Sequence, residues 1–253
     1  MLVPLAGGGQ ETLLSEVGFV LLPLLTTRDA CALRLVCREF LAAVNEHPWE
    51  DRGTVIKGSI AAWRACFPNA LCANVQQGGW ENGTNKRAAP VVDADFVHFE
   101  GLRELYMAGC MDVTDAAFVY LRGMRTLDMG FCRQAAITDA AFAHLAGVQR
   151  LSIEGCYQAT ITDAAFAHLR GIRLLIMTCC RQLTDAAFVH LRGIHTLVMD
   201  YCSQDTITGA TYSCLQGARS ISMWNCRAQQ NAAARTLGLP VNVSGGGIHM
   251  RLE

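Results

Sequence analysis

The fold class this sequence predicts is an α/β solenoid, with a parallel sheet of short strands on its concave side and short helices on its convex side, preceded by a small all-α module. Three observations predict it. The run Gly-Leu-Arg-Glu-Leu-Tyr-Met-Ala-Gly-Cys at Gly101 recurs in variant form from Gly123, Gly147, Gly171, Gly193 and Gly217, at intervals of 22 or 24 residues. Between the runs stands Thr-Asp-Ala-Ala-Phe, at Thr114, Thr138, Thr162 and Thr184. The first fifty residues lack this period and carry helical spacing instead. Self-similarity of this kind marks stacked units that cannot bury their apolar face alone and share one continuous core.

Inside each run, apolar residues hold the first, fourth and sixth places and cysteine the ninth: Leu102, Leu105, Met107 and Cys110, then Met124, Leu127, Met129 and Cys132. The same places read Val148, Leu151, Ile153 and Cys156; Ile172, Leu175, Met177 and Cys180; Ile194, Leu197, Met199 and Cys202; and Ala218, Ile221, Met223 and Cys226. Side chains alternate across a strand, so the fourth and sixth point into the solenoid and the fifth points out. This L-x-x-L-x-L-x-x-C pattern resembles the cysteine-containing leucine-rich repeats. The resemblance implies a structural ladder of buried thiols, Cys110, Cys132, Cys156, Cys180, Cys202 and Cys226, each bonding loop backbone after its strand.

The return segment is predicted to be a short helix. Threonine caps it and the following aspartate sits in its positive first turn. Phe118, Phe142, Phe166 and Phe188, with Leu121, Leu145, Leu169 and Leu191 three residues on, make its buried face. Arg122-Gly123, Arg170-Gly171 and Arg192-Gly193 end it, the arginine at the negative helix terminus and the glycine in a left-handed cap. His98, His144, His168 and His190 form a row on this convex side that reads as half-solvated, and Arg103, Arg125, Arg173 and Arg219 form another along one lateral edge.

Both ends of the array are atypical, as exposed terminal faces require. Phe67 to Val75 reads as a degenerate first strand, Val92 to Phe99 as its helical half, and Gln76 to Pro90, with Gly78-Gly79 and Asn82-Gly83, as an inserted loop. Asn231 to Leu237 reads as a last helix, followed by a Val241-Asn242-Val243 strand and a glycine-rich tail. The organisation expected is a tail over 1–11, a helical module over 12–52, a connector over 53–90, the solenoid over 91–238, and a cap and tail over 239–253.

Composition narrows the function. Apolar residues make up 51% of the chain and charged ones 17%, which suits a packed core, and the formal net charge of -1 gives no overall footprint for nucleic acid or an anionic membrane. The apolar run Val17 to Leu25 is far short of the roughly 20 residues of a membrane span, and no basic residue precedes it as a secretory signal would need. A cytoplasmic or nuclear protein with reduced thiols is expected. Twelve cysteines include no Cys-x-x-Cys, and there is no glycine-rich phosphate loop or nucleophile elbow, so no metal, no cofactor and no enzymatic activity are expected.

In the N-terminal module, Thr26-Thr27-Arg28-Asp29 offers a helix cap, and Leu33, Val36, Cys37, Phe40, Leu41 and Val44 follow at helical spacing. Leu13-x-x-Glu16, Leu21-Leu22-x-x-Leu25, Arg28-Asp29, Leu33-Arg34-Leu35-Val36-Cys37-Arg38 and Pro48-Trp49 together resemble the F-box over about forty residues. Leu14 and Thr26 stand where that family usually has proline, and Ala30 where it has leucine. An F-box followed by cysteine-containing repeats is similar to the substrate receptors of Skp–cullin–F-box ubiquitin ligases. The resemblance implies that Leu13, Leu22, Leu25, Leu33, Val36, Cys37 and Trp49 contact the Skp adaptor, which links the chain to the cullin scaffold. The helical spacing of these residues alone fits an intramolecular core equally. A repeat scaffold that recruits no ligase is the alternative function.

The target surface is expected on the concave side, at the third, fifth, seventh and eighth places. Those places carry Tyr106, Asp128, Phe131, Arg150, Glu154, Ile176, Asp200, Tyr201 and Trp224, which vary from unit to unit and include the aromatics typical of binding hot spots.

Overall fold

A computed structural model of the chain describes residues 20–77, 89–237 and 249–251. Its spine is one eight-stranded sheet in sequence order: β1 (Cys72–Asn74), β2 (Glu104–Tyr106), β3 (Thr126–Asp128), β4 (Arg150–Ser152), β5 (Leu174–Ile176), β6 (Thr196–Val198), β7 (Ser220–Ser222) and β8 (His249–Arg251). The first seven are parallel and pair without slippage, each fourth-place residue on the next: Leu105 on Leu127, Leu127 on Leu151, and so to Ile221. The degenerate first strand expected from the sequence is β1. A closing strand, His249–Arg251, pairs antiparallel with β7; the Val241–Val243 strand expected from the sequence lies outside the described residues. Leu13 and most of the loop expected over Gln76–Pro90 lie outside them too.

The return segments are the short helices expected, in a form tighter than the α-helix. They are 3-10 turns at Asp93–Phe99, Asp115–Leu121, Asp163–His168, Asp185–His190 and Tyr212–Leu215; only α4 (Asp139–Phe142) makes a single α turn. A 3-10 turn rises about 2.0 Å per residue against about 1.5 Å for an α-helix, so few residues must carry the chain back across the unit. The threonine caps are present, with each Oγ1 accepting from the backbone N–H two residues on, at 3.1 to 3.2 Å. The terminating glycines Gly123, Gly147, Gly171, Gly193 and Gly217 take φ of 80 to 87°.

The aspartates do more than favour a helix dipole. Asp93 accepts both the backbone N–H and the hydroxyl of Thr114 in the following unit, at 2.7 and 2.6 Å. Asp115 does the same to Thr138, and Asp139 to Thr162. Beneath them the core is columnar. Phe96, Phe118, Phe142, Phe166, Phe188 and Tyr212 stack as one buried file, and one apolar cluster runs from Leu22 to Ala233.

The thiol ladder is buried as expected, but its acceptors are specific: Cys132, Cys156, Cys180, Cys202 and Cys226 each donate to the sixth-place carbonyl of the preceding unit, at 3.1 to 3.4 Å. Two residues beyond the cysteine, Gln134, Gln158, Gln182 and Gln204 donate Nε2 to the preceding unit's ninth-place carbonyl. Carbonyls crowd that side of the amide, so it must present its NH2 there; each Oε1 is left buried without a donor.

The N-terminal module packs on the first strand. α1 (Thr27–Leu33) carries the expected capping box between Thr26 and Asp29, and α2 (Arg38–Glu46) follows. Asp51 receives Thr27 N–H and hydroxyl at 2.7 and 2.8 Å, so burial of its carboxyl is outweighed by these bonds and those from Thr54, which hold it below the ordinary carboxylate range. Trp49 donates Nε1 to the Val44 carbonyl at 2.8 Å, meets Phe67 edge-on, and accepts Leu71 N–H at its own carbonyl. α3 (Ile60–Cys66) completes the cover, and α5 (Arg227–Leu237) caps the far end.

Burial pushes the Cys132 and Cys202 thiols up to about 12 and Cys226 up to about 11, with Cys180 well above its usual value. A thiol raised in the folded state stabilises it fully below the unfolded thiol's value of about 8.5; that stability is lost as pH rises from there towards 12. Brief alkylation near pH 8, read by peptide mass mapping, is expected to label the exposed Cys31 and spare the six ladder cysteines. Raising the pH through the thiol range should release them together. Native disulfides among the six would contradict this.

Candidate protein-binding surfaces

Apart from the exposed Arg150 and the buried Ser222, the third and fifth places lie half-buried on the concave face, and the eighth forms its rim. At the eighth place every unit adopts the left-handed backbone: Gly109, Phe131, Gly155, Cys179, Tyr201 and Asn225, with φ between 58 and 75°. Four of the six are not glycine, and a bulky side chain there costs roughly 1–2 kcal/mol. The turn geometry that sets each cysteine under its strand dictates the conformation, and the aromatic side chains endure it.

This rim gathers two aromatic groups. In the second and third units the Arg133 guanidinium lies 5.2 Å from the Phe131 ring centroid and 4.7 Å from that of Tyr157, while its Nε donates to the Gly155 carbonyl. In the fifth and sixth units Tyr201 meets Trp224 edge to face at 4.6 Å, and Trp224 remains 42% exposed. Asp200 fixes this pair by accepting from Trp224 N–H and the Ser222 hydroxyl, both at 2.7 Å. Tyr157 and Arg133 were not among the residues expected. They occupy the place after the cysteine, which the repeat pattern assigns to loop, and only the recurrence of arginine there, at Arg133, Arg181 and Arg227, marks it in the sequence.

Beside the first group lies Glu154, half-buried, its backbone carbonyl accepting the Phe131 N–H. Burial, then the negative charges of Asp128 and Asp200, raise its carboxyl above the ordinary range. Among the described residues no cation pairs with it; the one ion pair is Arg52 with Glu104, bidentate at 2.6 and 2.7 Å. Tyr106 stands apart from the rim, its hydroxyl donating to Glu104 at 3.2 Å and pushed up to about 12 by burial and that carboxylate. Ile176 is half-buried in mid-sheet, and Arg150 is exposed on the opposite edge, at the start of its strand.

The adaptor residues separate by burial. Leu22 and Trp49, 4% and 1% exposed, are part of this chain's own core. Trp49 is drawn inward by the Val44 carbonyl that its indole bonds and by the Phe67 ring that it meets edge-on. Leu25 and Leu33 are partly buried against that core and Cys37 is half-buried, whereas Val36 is 66% exposed. Leu24 and Leu35, which the spacing did not single out, are exposed further, at 77% and 88%.

Gly155 tests the rim. A Cβ built on it would come within 2.7 Å of the Phe131 ring, and its φ is +65°. Gly155→Ala should destabilise the chain by about 2 kcal/mol in chemical denaturation, from backbone strain and overpacking together. In a Phe131→Ala background the cost should fall to the strain alone, about 1 kcal/mol. Equal costs in both backgrounds would show that the ring and the glycine do not touch.

No helix among the described residues is long and apolar enough to cross a membrane. No family model matches the chain, and no curated protein matches it. Among solved structures it is similar to the crystal structure of the Rad7 and Elc1 complex in yeast, at 20% identity and a TM-score of 0.39 over 48% of this chain and 35% of that one. It is similar also to the TLR13-ssRNA13 complex, at 18% identity and a TM-score of 0.51 over 66% of this chain and 23% of that one. The matched parts thus span about a third or less of those chains' length, and the second likeness is one of fold. Six in-register repeat units on seven parallel strands make this chain an α/β leucine-rich-repeat solenoid.

Proposed function

We propose that the chain is the substrate-recognition subunit of a Skp–cullin–F-box ubiquitin ligase, with the N-terminal module held by the Skp adaptor and a target protein held by the repeats. One observation carries the reading beyond the sequence resemblance. Of twelve strongly exposed large apolar side chains among the described residues, five, Val20, Leu24, Leu35, Val36 and Leu41, fall within the F-box-like module. Scattered exposed apolar residues are ordinary, but such concentration on a small unit whose inward side chains already fill a core points to a second apolar contact. In this reading the chain performs no chemistry. It holds the target while a separate conjugating enzyme transfers ubiquitin.

Leu35→Asp with Val36→Asp tests the adaptor half. Both side chains are exposed, so circular dichroism and thermal unfolding should be unchanged, while co-precipitation with the Skp adaptor should be lost, since a buried unpaired charge costs several kcal/mol. Retained binding would move the adaptor contact off this exposed patch, and failure of the unaltered chain to co-precipitate the adaptor would leave a repeat scaffold without ligase recruitment.

The target half rests on the aromatic rim. Alanine in place of Trp224, Tyr201, Tyr106 or Phe131, each alone, should weaken capture of the target by about 2 kcal/mol at one or two of the four, with Trp224 the leading one. Normal capture by all four would move the target off the concave surface.

A further inference from the structure

The net charge of -1 conceals a strongly basic edge. Where each return segment ends and each strand begins, Arg122, Arg170 and Arg192 stand before the turn glycine, and Arg103, Arg125, Arg173 and Arg219 at the second place of the run. With Arg150 at a third place, eight arginines lie on one side of the sheet, all exposed. Among the described residues none of the eight takes part in an ion pair or a side-chain hydrogen bond with a carboxylate.

Helix termini account for only part of this row. Arg122, Arg170 and Arg192 face the negative end of a return segment, but the second-place residues have no such reason. Their backbones form a straight line: Arg125 N–H donates to Arg103 O at 2.8 Å, and the chain of bonds continues through Gln149, Arg173 and His195 to Arg219. Each step is one strand spacing, about 4.8 Å, so the row runs about 24 Å, the length of roughly seven residues of extended chain. Like charges held in register on neighbouring strands repel. A counter-charge laid along them relieves that repulsion.

We propose that this edge docks an extended acidic segment of a partner protein, its Asp and Glu carboxylates taken by the arginine row. The molecule contains one worked instance: Glu104, on this same edge, grips Arg52 through both oxygens at 2.6 and 2.7 Å. The fork of a guanidinium matches a carboxylate in this way. Single-stranded nucleic acid would want aromatic rings interleaved with the charges for its bases; near this edge the concave face offers Tyr106 alone, its hydroxyl tied to Glu104, while Phe131, Tyr157, Tyr201 and Trp224 lie on the opposite rim. The inference holds whether or not the N-terminal module recruits a ligase.

The test is fluorescence anisotropy of a labelled eight-residue Asp/Glu peptide titrated with the full chain at low salt, beside a single-stranded oligonucleotide of equal charge. The peptide should bind at least ten-fold more tightly than the oligonucleotide and weaken steeply with salt. Arg103→Gln, Arg125→Gln, Arg173→Gln and Arg219→Gln together should cost ten-fold or more in peptide affinity with an unchanged circular dichroism spectrum, whereas Arg235→Gln on α5 should cost nothing. If the fourfold variant fails to fold, the pairs Arg103→Gln/Arg125→Gln and Arg173→Gln/Arg219→Gln replace it, each expected to lose at least three-fold. An oligonucleotide that binds as tightly as the peptide, or peptide binding indifferent to these changes, overturns the proposal.

Discussion

A backbone that folds back every 22 or 24 residues buries polar groups it cannot satisfy within one turn, and in this protein the neighbouring unit satisfies them. Thr114 hands its N–H and hydroxyl to Asp93, Cys132 its thiol to Met107 O, and Gln134 its amide to Cys110 O. Leaving any of these buried donors unmade would cost about 1–3 kcal/mol. The whole architecture follows from that requirement: strands of three residues suffice because stacking, not strand length, supplies the partners, and the register cannot slip without breaking three side-chain ladders together with the sheet.

Much of this was legible in the sequence because the repeat reports burial directly. Leu105, Met107 and Cys110 recur at fixed places, and any residue type repeated six times in register declares its environment. The Phe118 file and the glycine turns were readable for the same reason. What escaped the reading lies between units. The Asp93 to Thr114 bond joins residues 21 positions apart, and local sequence offers only the helix-cap explanation for each partner. Likewise, that the eighth place is left-handed could not be inferred from Phe131, Tyr201 or Cys179, which avoid that conformation when free to choose; Gly109, Gly155 and Asn225 at the same place were the hint.

The binding surfaces were partly legible. Variation among the concave places located Trp224, Tyr201 and Glu154, but the pairing of Arg133 with Tyr157 depends on two loops meeting across adjacent units. In the N-terminal module the helical spacing did not divide inward from outward residues. Trp49 went to the core because its indole has a carbonyl to bond at Val44, and Leu35 went outward because it falls in the turn between α1 and α2. Period alone fixes which residues share a face; it does not say which face has the partner.

The three side-chain ladders share a direction. Threonine, cysteine and glutamine of one unit all donate to acceptors in the unit before it. A chain made from its N-terminus therefore meets each new set of donors with the acceptors already in place, so synthesis and assembly run the same way. The two ends of the array are consequently not equivalent. Removing units from the C-terminal end uncovers side-chain acceptors together with the sixth- and eighth-place N–H groups that donate to the following unit, whereas removing them from the N-terminal end leaves the threonine, cysteine and glutamine donors without their acceptors. The Trp49 cover closes the first of these two unlike ends, its carbonyl accepting the Leu71 N–H.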